Sequence, residues 1–176
     1  MHSQKGSGPM ELWDLYTRDR QPTGETHIRG QKLPPERYHV VVHVWIRNSR
    51  GEWLISQRAA SRPAFPLLWE SVGGSVTAGE DSLTGAIREA EEEVGVRLSP
   101  SQGLLLHSTV RDQYQDIRDV WLFVHDGEVD LSCATTDEVA QIRWMTVPEI
   151  RAMYDSGELV HTLGYFFDDP DLGGNG

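Results

Sequence analysis

The stretch GSVTAGEDSLTGAIREAEEEVGV, residues 74–96, is the most informative part of this sequence, because its second half predicts a helix with an unusual charge pattern. Three glutamates, Glu89, Glu92 and Glu93, stand at positions i, i+3 and i+4, so they share one face of that predicted helix. Each like-charged pair at these spacings costs a helix roughly 0.2–0.5 kcal/mol. The acidic face contains no lysine to relieve this repulsion, so it needs a physical reason.

The apolar residues of this stretch predict a helix over residues 81–94 that ends at Gly95. Arg88 is placed to pair with Glu92, and the glutamate face lies away from the apolar one. A charge run is more often a solvated surface, but converging carboxylates also suit a hard divalent cation such as Mg²⁺. The core-facing residues share an arc roughly 100° wide: Leu83, Ala86, Ile87, Ala90 and Val94.

The composition is that of an ordinary globular protein, with 176 residues, 38% hydrophobic and 24% charged. No apolar run predicts a membrane span, and the N-terminus lacks the apolar segment of a secretory signal. The single cysteine, Cys133, excludes a disulfide within the chain and favours a reducing, cytoplasmic setting. The net charge of −11 disfavours nucleic acid and anionic membranes as partners. The sequence does not indicate an oligomeric state.

The rest of the chain predicts a mixed α/β domain. A hairpin is predicted after the first strand because Pro22 and Gly24 are turn signals, and a second helix is predicted over residues 147–154. We expect residues 1–10 to be a disordered or cloning-derived tail, 11–166 a single domain, and 167–176 a flexible acidic and glycine-rich tail. Strands are predicted over residues 12–16, 40–46, 53–57, 69–72, 104–110, 120–125 and 139–144.

Residues 74–96 resemble the Nudix box. That motif reads, in order, Gly, five residues, Glu, seven residues, Arg-Glu, an apolar residue, any residue, Glu-Glu, any residue, Gly and an apolar residue. Every fixed identity matches, and Ala90 stands where the family more often has a bulkier aliphatic residue. The resemblance implies an α/β fold, the Nudix-type α/β/α sandwich with a mixed sheet. The matching positions are Gly74, Glu80, Arg88, Glu89, Ala90, Glu92, Glu93, Gly95 and Val96.

A second, looser resemblance involves the N-terminal segment WDLYTRDRQPTG and Arg29, which are similar to the branch of Nudix proteins related to isopentenyl-diphosphate isomerase. The isomerase chemistry of that branch uses a cysteine just ahead of the box, where this chain has Gly73. Cys133 lies far from that position in the sequence. An isomerase is therefore the less favoured alternative, beside a non-catalytic nucleotide-binding module and a structural calcium site.

The Nudix resemblance implies a hydrolase that cleaves a diphosphate linkage in a nucleoside diphosphate derivative or a nucleotide, by attack of water at phosphorus. Glu89, Glu92 and Glu93 would be catalytic and would bind Mg²⁺, with Mn²⁺ as an alternative. Gly74 would contribute its backbone carbonyl to the metal. The partner implied is a small-molecule diphosphate, whose identity the box does not specify.

The resemblance assigns supporting roles to further residues of the box. Arg88 would orient the glutamates through charge-assisted hydrogen bonds, and Glu80 would hold the preceding loop. Gly73 and Gly95 would support the strand and the helix end. Outside the box, Arg58 follows a predicted strand and is a candidate to contact a substrate phosphate, although a surface arginine is the more common role.

Other candidate residues are weaker, and each has an ordinary structural interpretation. His39 and His43 are four residues apart on a predicted strand, so they share a face. They are candidates for a metal-binding pair, but polar strand residues are the simpler interpretation. A box glutamate is the favoured general base, with acids outside the box as alternatives: Asp112, Asp116, Asp119 and Glu138. Three aromatic residues are candidates to stack on a base, although packing in the core or at its rim is the simpler interpretation: Trp69, Tyr114 and Phe166.

Overall fold

The computed structural model describes residues 10–174, which form nine strands, two α-helices and several short 3-10 helices. The helices are α1 (Ser82–Val94) and α2 (Val147–Asp155), and a 3-10 helix follows over His161–Phe167. The strands are β1 (Leu12–Tyr16), β2 (Pro22–Ile28), β3 (His39–Arg47), β4 (Trp53–Arg58), β5 (Trp69–Glu70), β6 (Val72–Ser75), β7 (Leu104–Arg111), β8 (Asp116–Val124) and β9 (Val139–Met145).

Strand β3 is the centre of a mixed sheet. It pairs with β8 in parallel along its whole length, and with β6 antiparallel on its other side. Strand β7 pairs antiparallel with β8 and forms an edge. The β3–β4 hairpin pairs at Arg47 and Trp53 and then splays, so that β4 pairs with β5 and β9 instead. Strands β1 and β2 form a separate hairpin, as predicted, but its turn covers residues 17–21, and the expected turn residues Pro22 and Gly24 belong to β2.

Helices cover both faces of this sheet because its strands are apolar on both sides. Val42 and Val44 of β3 point into a cluster beneath α1, together with Ala86 and Ala90 of that helix. Trp45 points the other way, into a second cluster that is rich in aromatic residues and includes residues of α2 and the 3-10 helix. The two helical layers confirm the predicted α/β/α sandwich with a mixed sheet.

Helix α1 has the predicted bounds, with both ends capped. Asp81 is the N-cap, and its carboxylate accepts a hydrogen bond of 2.7 Å from the Thr84 backbone N–H. Gly95 caps the other end in the left-handed conformation, with φ at 70°. The caps hold the acidic face of the helix at a defined position over strand β6.

The segment predicted as one strand over residues 69–72 is instead two strands, of which β6 continues through Gly73 and Gly74 to Ser75. Glycine is unfavourable in strands, which explains the wrong expectation. Only glycine fits at position 73 without a steric clash. A Cβ on Gly73 would collide with the carbonyl oxygen of Val42 on the neighbouring strand.

Strand β8 begins at Asp116, four residues before the predicted start. The polarity of its first half hid it, because Asp116 and Asp119 are both buried. Each carboxylate is matched by an arginine from another element: Arg111 pairs with Asp116, and Arg20 with Asp119. These arginines come close to the carboxylates only after folding, so periodicity along β8 cannot reveal them.

The predicted N-terminal tail lies outside the described residues except for Met10, and residues 175 and 176 lie outside them as well. At the C-terminal end, Phe167 and Leu172 are buried in the aromatic cluster. The packed region therefore reaches beyond the boundary drawn at residue 166. Within residues 10–174, no helix is long and apolar enough to cross a membrane.

Candidate active site

Arg88 is the centre of a hydrogen-bond network on the acidic face of α1. Its Nε and Nη2 donate to the two carboxylate oxygens of Glu80 at 2.8 and 3.1 Å. Its Nη1 donates to Glu89 and to Glu92, each at 3.0 Å, and Nη2 also donates to the Ser75 carbonyl. One guanidinium therefore contacts three carboxylates and the end of β6, and it relieves part of the repulsion on this face.

Glu80 connects the loop before α1 to this network. One of its oxygens accepts a hydrogen bond of 3.1 Å from the Thr77 backbone N–H. Burial opposes ionisation of this carboxylate, but the hydrogen bonds from Arg88 and Thr77 outweigh it and lower the pKa of Glu80. The loop from β6 to α1 is thus held by a charged side chain.

Glu89 and Glu93 are carboxylates held away from water. The Glu89 side chain is 12% exposed, and burial raises its pKa to about 7 despite the contact with Arg88. Glu93 is 6% exposed, and burial together with the nearby Glu89 raises its pKa well above the ordinary range. Its carboxylate accepts a backbone N–H bond of 3.3 Å from Gly73. Among the described residues Glu93 has no ion-pair partner, and Glu89 has only the Arg88 contact that it shares with Glu80 and Glu92. Both groups therefore have less positive charge nearby than buried carboxylates need to ionise fully.

The donor set suits a hard divalent cation. A Cβ on Gly74 would overlap the Glu89 carboxylate, so the glycine provides room for the carboxylate to lie against strand β6. Within residues 10–174, no three acidic, histidine or cysteine side chains converge as a formed metal cluster, and Arg88 holds Glu89 and Glu92 instead. The Glu92 side chain is the most open of the three, at 37% exposed. Oxygen donors with unmatched negative charge are the ligands that Mg²⁺ prefers.

A cavity lies beside these glutamates and carries arginines from several elements. Arg58 lines it, but its Nη1 lies 2.6 Å from Glu70 and its Nε donates to the Ala64 carbonyl. Arg62 also lines the cavity, with its Nη1 2.6 Å from Glu138 and its Nε buried without a hydrogen-bond partner among the described residues. The cavity therefore offers both signs of charge, as a site for a cation with an anionic substrate requires.

The four acids considered outside the box divide clearly by position. Glu138 lines the cavity together with the box glutamates. The other three do not line it, and each is engaged elsewhere in an ion pair with an arginine: Asp112 with Arg18, Asp116 with Arg111, and Asp119 with Arg20.

The remaining sequence candidates lie in structural contacts. His39 stacks on Trp13 with ring centroids 3.9 Å apart, and burial lowers its pKa to about 4. Trp69 and Phe166 are buried in the aromatic cluster, while Tyr114 is exposed with Arg111 over its ring. Cys133 is exposed, and it lies next to Gly95 at the far end of α1.

Sequence reasoning missed a second cavity on the other side of β6, which Arg111 and His43 line. Arg118 and Tyr165 lie beside it, with the guanidinium of Arg118 4.1 Å from the ring centre of Tyr165. No motif marks these residues. The available signal was the alternation along β8, which places Arg118 on the same face as Val120 and thus inside the fold.

Comparison with known proteins identifies the family of this chain. A sequence model of the NUDIX domain matches residues 37–163. An uncharacterised Nudix hydrolase of Listeria monocytogenes is 37% identical over 159 residues, which cover 90% of this chain and 91% of that protein. The crystal structure of a Deinococcus radiodurans protein superimposes with a TM-score of 0.68 at 26% identity, over 85% of this chain and 92% of the other.

The looser resemblance noted at the N-terminal end has a counterpart as well. The isopentenyl-diphosphate isomerase of Escherichia coli is 31% identical over 84 residues, which cover 47% of this chain and 46% of that enzyme. This match is partial, whereas the Listeria hydrolase matches along nearly the whole chain. The box, the sandwich and these matches together show that this chain belongs to the Nudix family of hydrolases.

Proposed function

We propose that this protein is a Mg²⁺-dependent diphosphatase, which hydrolyses a diphosphate linkage in a nucleotide or a nucleoside diphosphate derivative by attack of water at phosphorus. The observation that carries the proposal is the pair of buried carboxylates, Glu89 and Glu93, beside a cavity lined by arginines. Buried carboxylates of this kind are stable as anions only when a cation joins them.

The chain's own residues would divide the work. Glu89, Glu92 and Glu93 would hold the cation together with the Gly74 carbonyl, and Arg88 would keep Glu89 and Glu92 in place. When bound, the cation supplies positive charge that offsets the charge of the phosphate oxygens and helps to generate the nucleophile. Mn²⁺ has similar ligand preferences and is the alternative ion.

Substrate phosphates would enter the cavity past the arginines of β4 and its following loop. The buried Nε of Arg62 donates no hydrogen bond to any described residue. It is therefore available to donate to a phosphate oxygen. Arg58 is fastened to Glu70, so its role would be to position the cavity wall and to add positive charge. A box glutamate would accept the proton of the attacking water, and Glu138 is the outside candidate that the cavity contains.

A phosphate-release screen with Mg²⁺ across a panel of diphosphate compounds tests the proposal. The Glu92→Gln and Glu93→Gln variants should lose roughly 10–100-fold or more of the rate, because each removes a charged metal ligand. Arg97→Gln is a matched control, since Arg97 is exposed and lies outside both cavities. EDTA should abolish turnover. Equal rates in the wild type and both glutamine variants would rule the box out as the catalytic centre.

The same screen addresses the two alternatives. If no compound is hydrolysed but a nucleotide raises the melting temperature, the protein is a binding module instead. An isomerase is favoured by the partial match to the Escherichia coli enzyme, but Gly73 occupies the expected cysteine position. Cys133 lines neither cavity, so it does not supply the missing thiol. We therefore expect no conversion of isopentenyl diphosphate to its allylic isomer.

A further inference from the structure

The second cavity lies on the face of the sheet opposite α1. It is lined by His43 of β3, by Arg111 at the end of β7, and by Thr162 and Leu163 of the 3-10 helix. Residues 73–75 of β6 line this cavity and the box cavity alike. A molecule that spans β6 would therefore reach from the box glutamates into the second cavity.

His43 is a neutral polar group at the wall of this cavity. Its Nδ1 lies 2.8 Å from the hydroxyl oxygen of Tyr165, which also accepts a hydrogen bond of 2.9 Å from Trp45 Nε1. Burial and the charges of Arg118 and Arg111 lower the pKa of His43 well below its usual value. The ring is therefore neutral, and one of its two nitrogens is held by Tyr165.

Arg118 adds a buried positive charge near this histidine. It is 9% exposed, and its Nε has no hydrogen-bond partner among the described residues. The neighbouring acid, Asp116, is bound at both oxygens by Arg111, at 2.7 and 2.6 Å. Arg118 lies opposite Val41 in the β3–β8 pairing, and Val41 lines the cavity. The guanidinium lies over the ring of Tyr165, whose hydroxyl contacts the cavity residue His43, and it has no carboxylate partner within residues 10–174.

One carboxylate, that of Glu70, also lines the cavity, but Arg58 Nη1 lies 2.6 Å from it and matches its charge. Among the described residues the charged groups around the cavity are thus paired as Arg58 with Glu70 and Arg111 with Asp116, which leaves Arg118 as the cation without a carboxylate partner. An unpaired buried cation costs free energy unless an acceptor of opposite charge joins it.

We propose that this cavity is an anion subsite, which holds a phosphate or carboxylate group of the substrate at the end remote from the scissile diphosphate. The preferred substrates are then diphosphate compounds that carry an additional anionic group. The assignment of that group to the substrate rests on the proposed diphosphatase activity, whereas the binding of an oxyanion in the cavity does not.

Inorganic phosphate is the first probe, titrated by calorimetry into the full chain with EDTA present so that the box holds no metal. We expect the Arg118→Met variant to bind phosphate roughly tenfold more weakly than the wild type, because a charged hydrogen-bond donor is lost. Arg118→Lys should bind with intermediate affinity, since it keeps the charge, and Arg97→Gln should bind like the wild type. Equal phosphate affinity in all four proteins, or no binding in any, would overturn the subsite.

Matched substrate pairs that differ by one phosphate separate a group on the substrate from a free anion. Coenzyme A against dephospho-coenzyme A, and NADP against NAD, are such pairs, compared by kcat/KM with Mg²⁺. We expect the phosphorylated member to be preferred roughly tenfold, and the preference to disappear in Arg118→Met but not in Arg97→Gln. Phosphate binding without any such preference would overturn the assignment to the substrate. Phosphate binding without hydrolysis of any compound would contradict the diphosphatase activity and support the subsite.

Discussion

Gly73 and Gly74, which are adjacent in β6, lie against different neighbours. Substitution of the two residues should therefore affect stability and activity differently. A Cβ on Gly74 would meet the end of the Glu89 side chain, which can swing away. A Cβ on Gly73 would meet the Val42 carbonyl, which belongs to the sheet backbone and cannot. The first change displaces a proposed metal ligand, and the second strains a strand pair.

We therefore predict opposite outcomes for the two alanine variants. Gly74→Ala should change the free energy of unfolding by less than about 1 kcal/mol, yet lower the hydrolysis rate roughly 10–100-fold. Gly73→Ala should cost about 1–3 kcal/mol of stability. Urea unfolding and the hydrolysis rate measure both effects. A larger loss of stability in Gly74→Ala than in Gly73→Ala would contradict the assignment.

Arg88 is a second residue where geometry matters more than charge. Its guanidinium contacts Glu80, Glu89 and Glu92 at once, which a lysine ammonium cannot do with the same fork. We expect Arg88→Lys to lower the free energy of unfolding by about 1–3 kcal/mol, because hydrogen bonds to buried carboxylates are lost. Arg97→Lys is the control, since that side chain is exposed and lies just beyond the end of the helix. Equal unfolding curves for the two lysine variants would show that Arg88 contributes charge alone.

At the scale of elements, the end of α1 depends on one backbone conformation. Gly95 has φ at 70°, and a Cβ there would lie 2.8 Å from the Cys133 Cβ and 2.9 Å from the Asp130 carbonyl oxygen. Gly95→Ala should therefore cost about 1–3 kcal/mol in urea unfolding. Gly157→Ala isolates the effect of conformation, because Gly157 also has a positive φ but no atom within 4 Å of its Cβ position. The Gly95 variant should be the less stable of the two.

The β1–β2 hairpin is fastened to the sheet by a buried ion pair. The Arg20 guanidinium donates to both oxygens of Asp119 at 2.6 Å, and Asp119 is fully buried. Burial opposes the charge of Asp119, but the hydrogen bonds from Arg20, Ser108 and Ser82 outweigh it, and the pKa is lowered. A lowered folded-state pKa means stability that is present above the unfolded pKa, about 4, and is lost as the pH falls through the folded pKa.

We therefore predict that the free energy of unfolding decreases from about pH 5 downward, and that Asp119→Asn makes this decrease smaller. Asp155→Asn, at an exposed position in α2, serves as the control and should leave the slope unchanged. The measurement is urea unfolding at a series of pH values. A slope that is the same for Asp119→Asn and the wild type would contradict a role for the ion pair in acid stability.

How far the sequence predicted each element depends on how local its causes are. Helix α1 and its caps were predictable because Asp81, the apolar stripe and Gly95 lie within one short stretch. The start of β8 was not, because Asp119 becomes compatible with burial only through Arg20, which lies 99 residues away. The second cavity was missed for the same reason. Its donors come from β3, β7, β8 and the last 3-10 helix, and no pattern along the chain brings them together.

At the scale of the whole molecule, the protein carries a net charge of −11 and keeps two carboxylates, Glu89 and Glu93, away from water. A cation that binds the folded chain stabilises it by mass action. We predict that millimolar Mg²⁺ raises the melting temperature of the wild type, and that it has a smaller effect on Glu93→Gln.

Without metal, we expect the wild type to have no advantage in stability over the Glu93→Gln variant. Glu93→Gln removes the burial cost of a carboxylate, so it should melt no lower than the wild type in EDTA. Thermal melts of both proteins with EDTA, with MgCl₂ and with NaCl of equal ionic strength measure the effect. If NaCl raises the melting temperature as much as MgCl₂ does, then charge screening, and not a bound cation, stabilises the fold.

Alternate residues of strand β3 serve the two faces of the sheet, and this has a consequence for how such a protein can diverge. Val42 and Val44 support the helix that carries the glutamates, whereas His43 and Trp45 belong to the opposite face. Substitutions at Val41 and His43, which line the second cavity, can accumulate while Val44 and the buried Trp45 stay the same. Selection can therefore alter what the molecule recognises without first dismantling its reactive centre, and a new specificity is reachable by single substitutions.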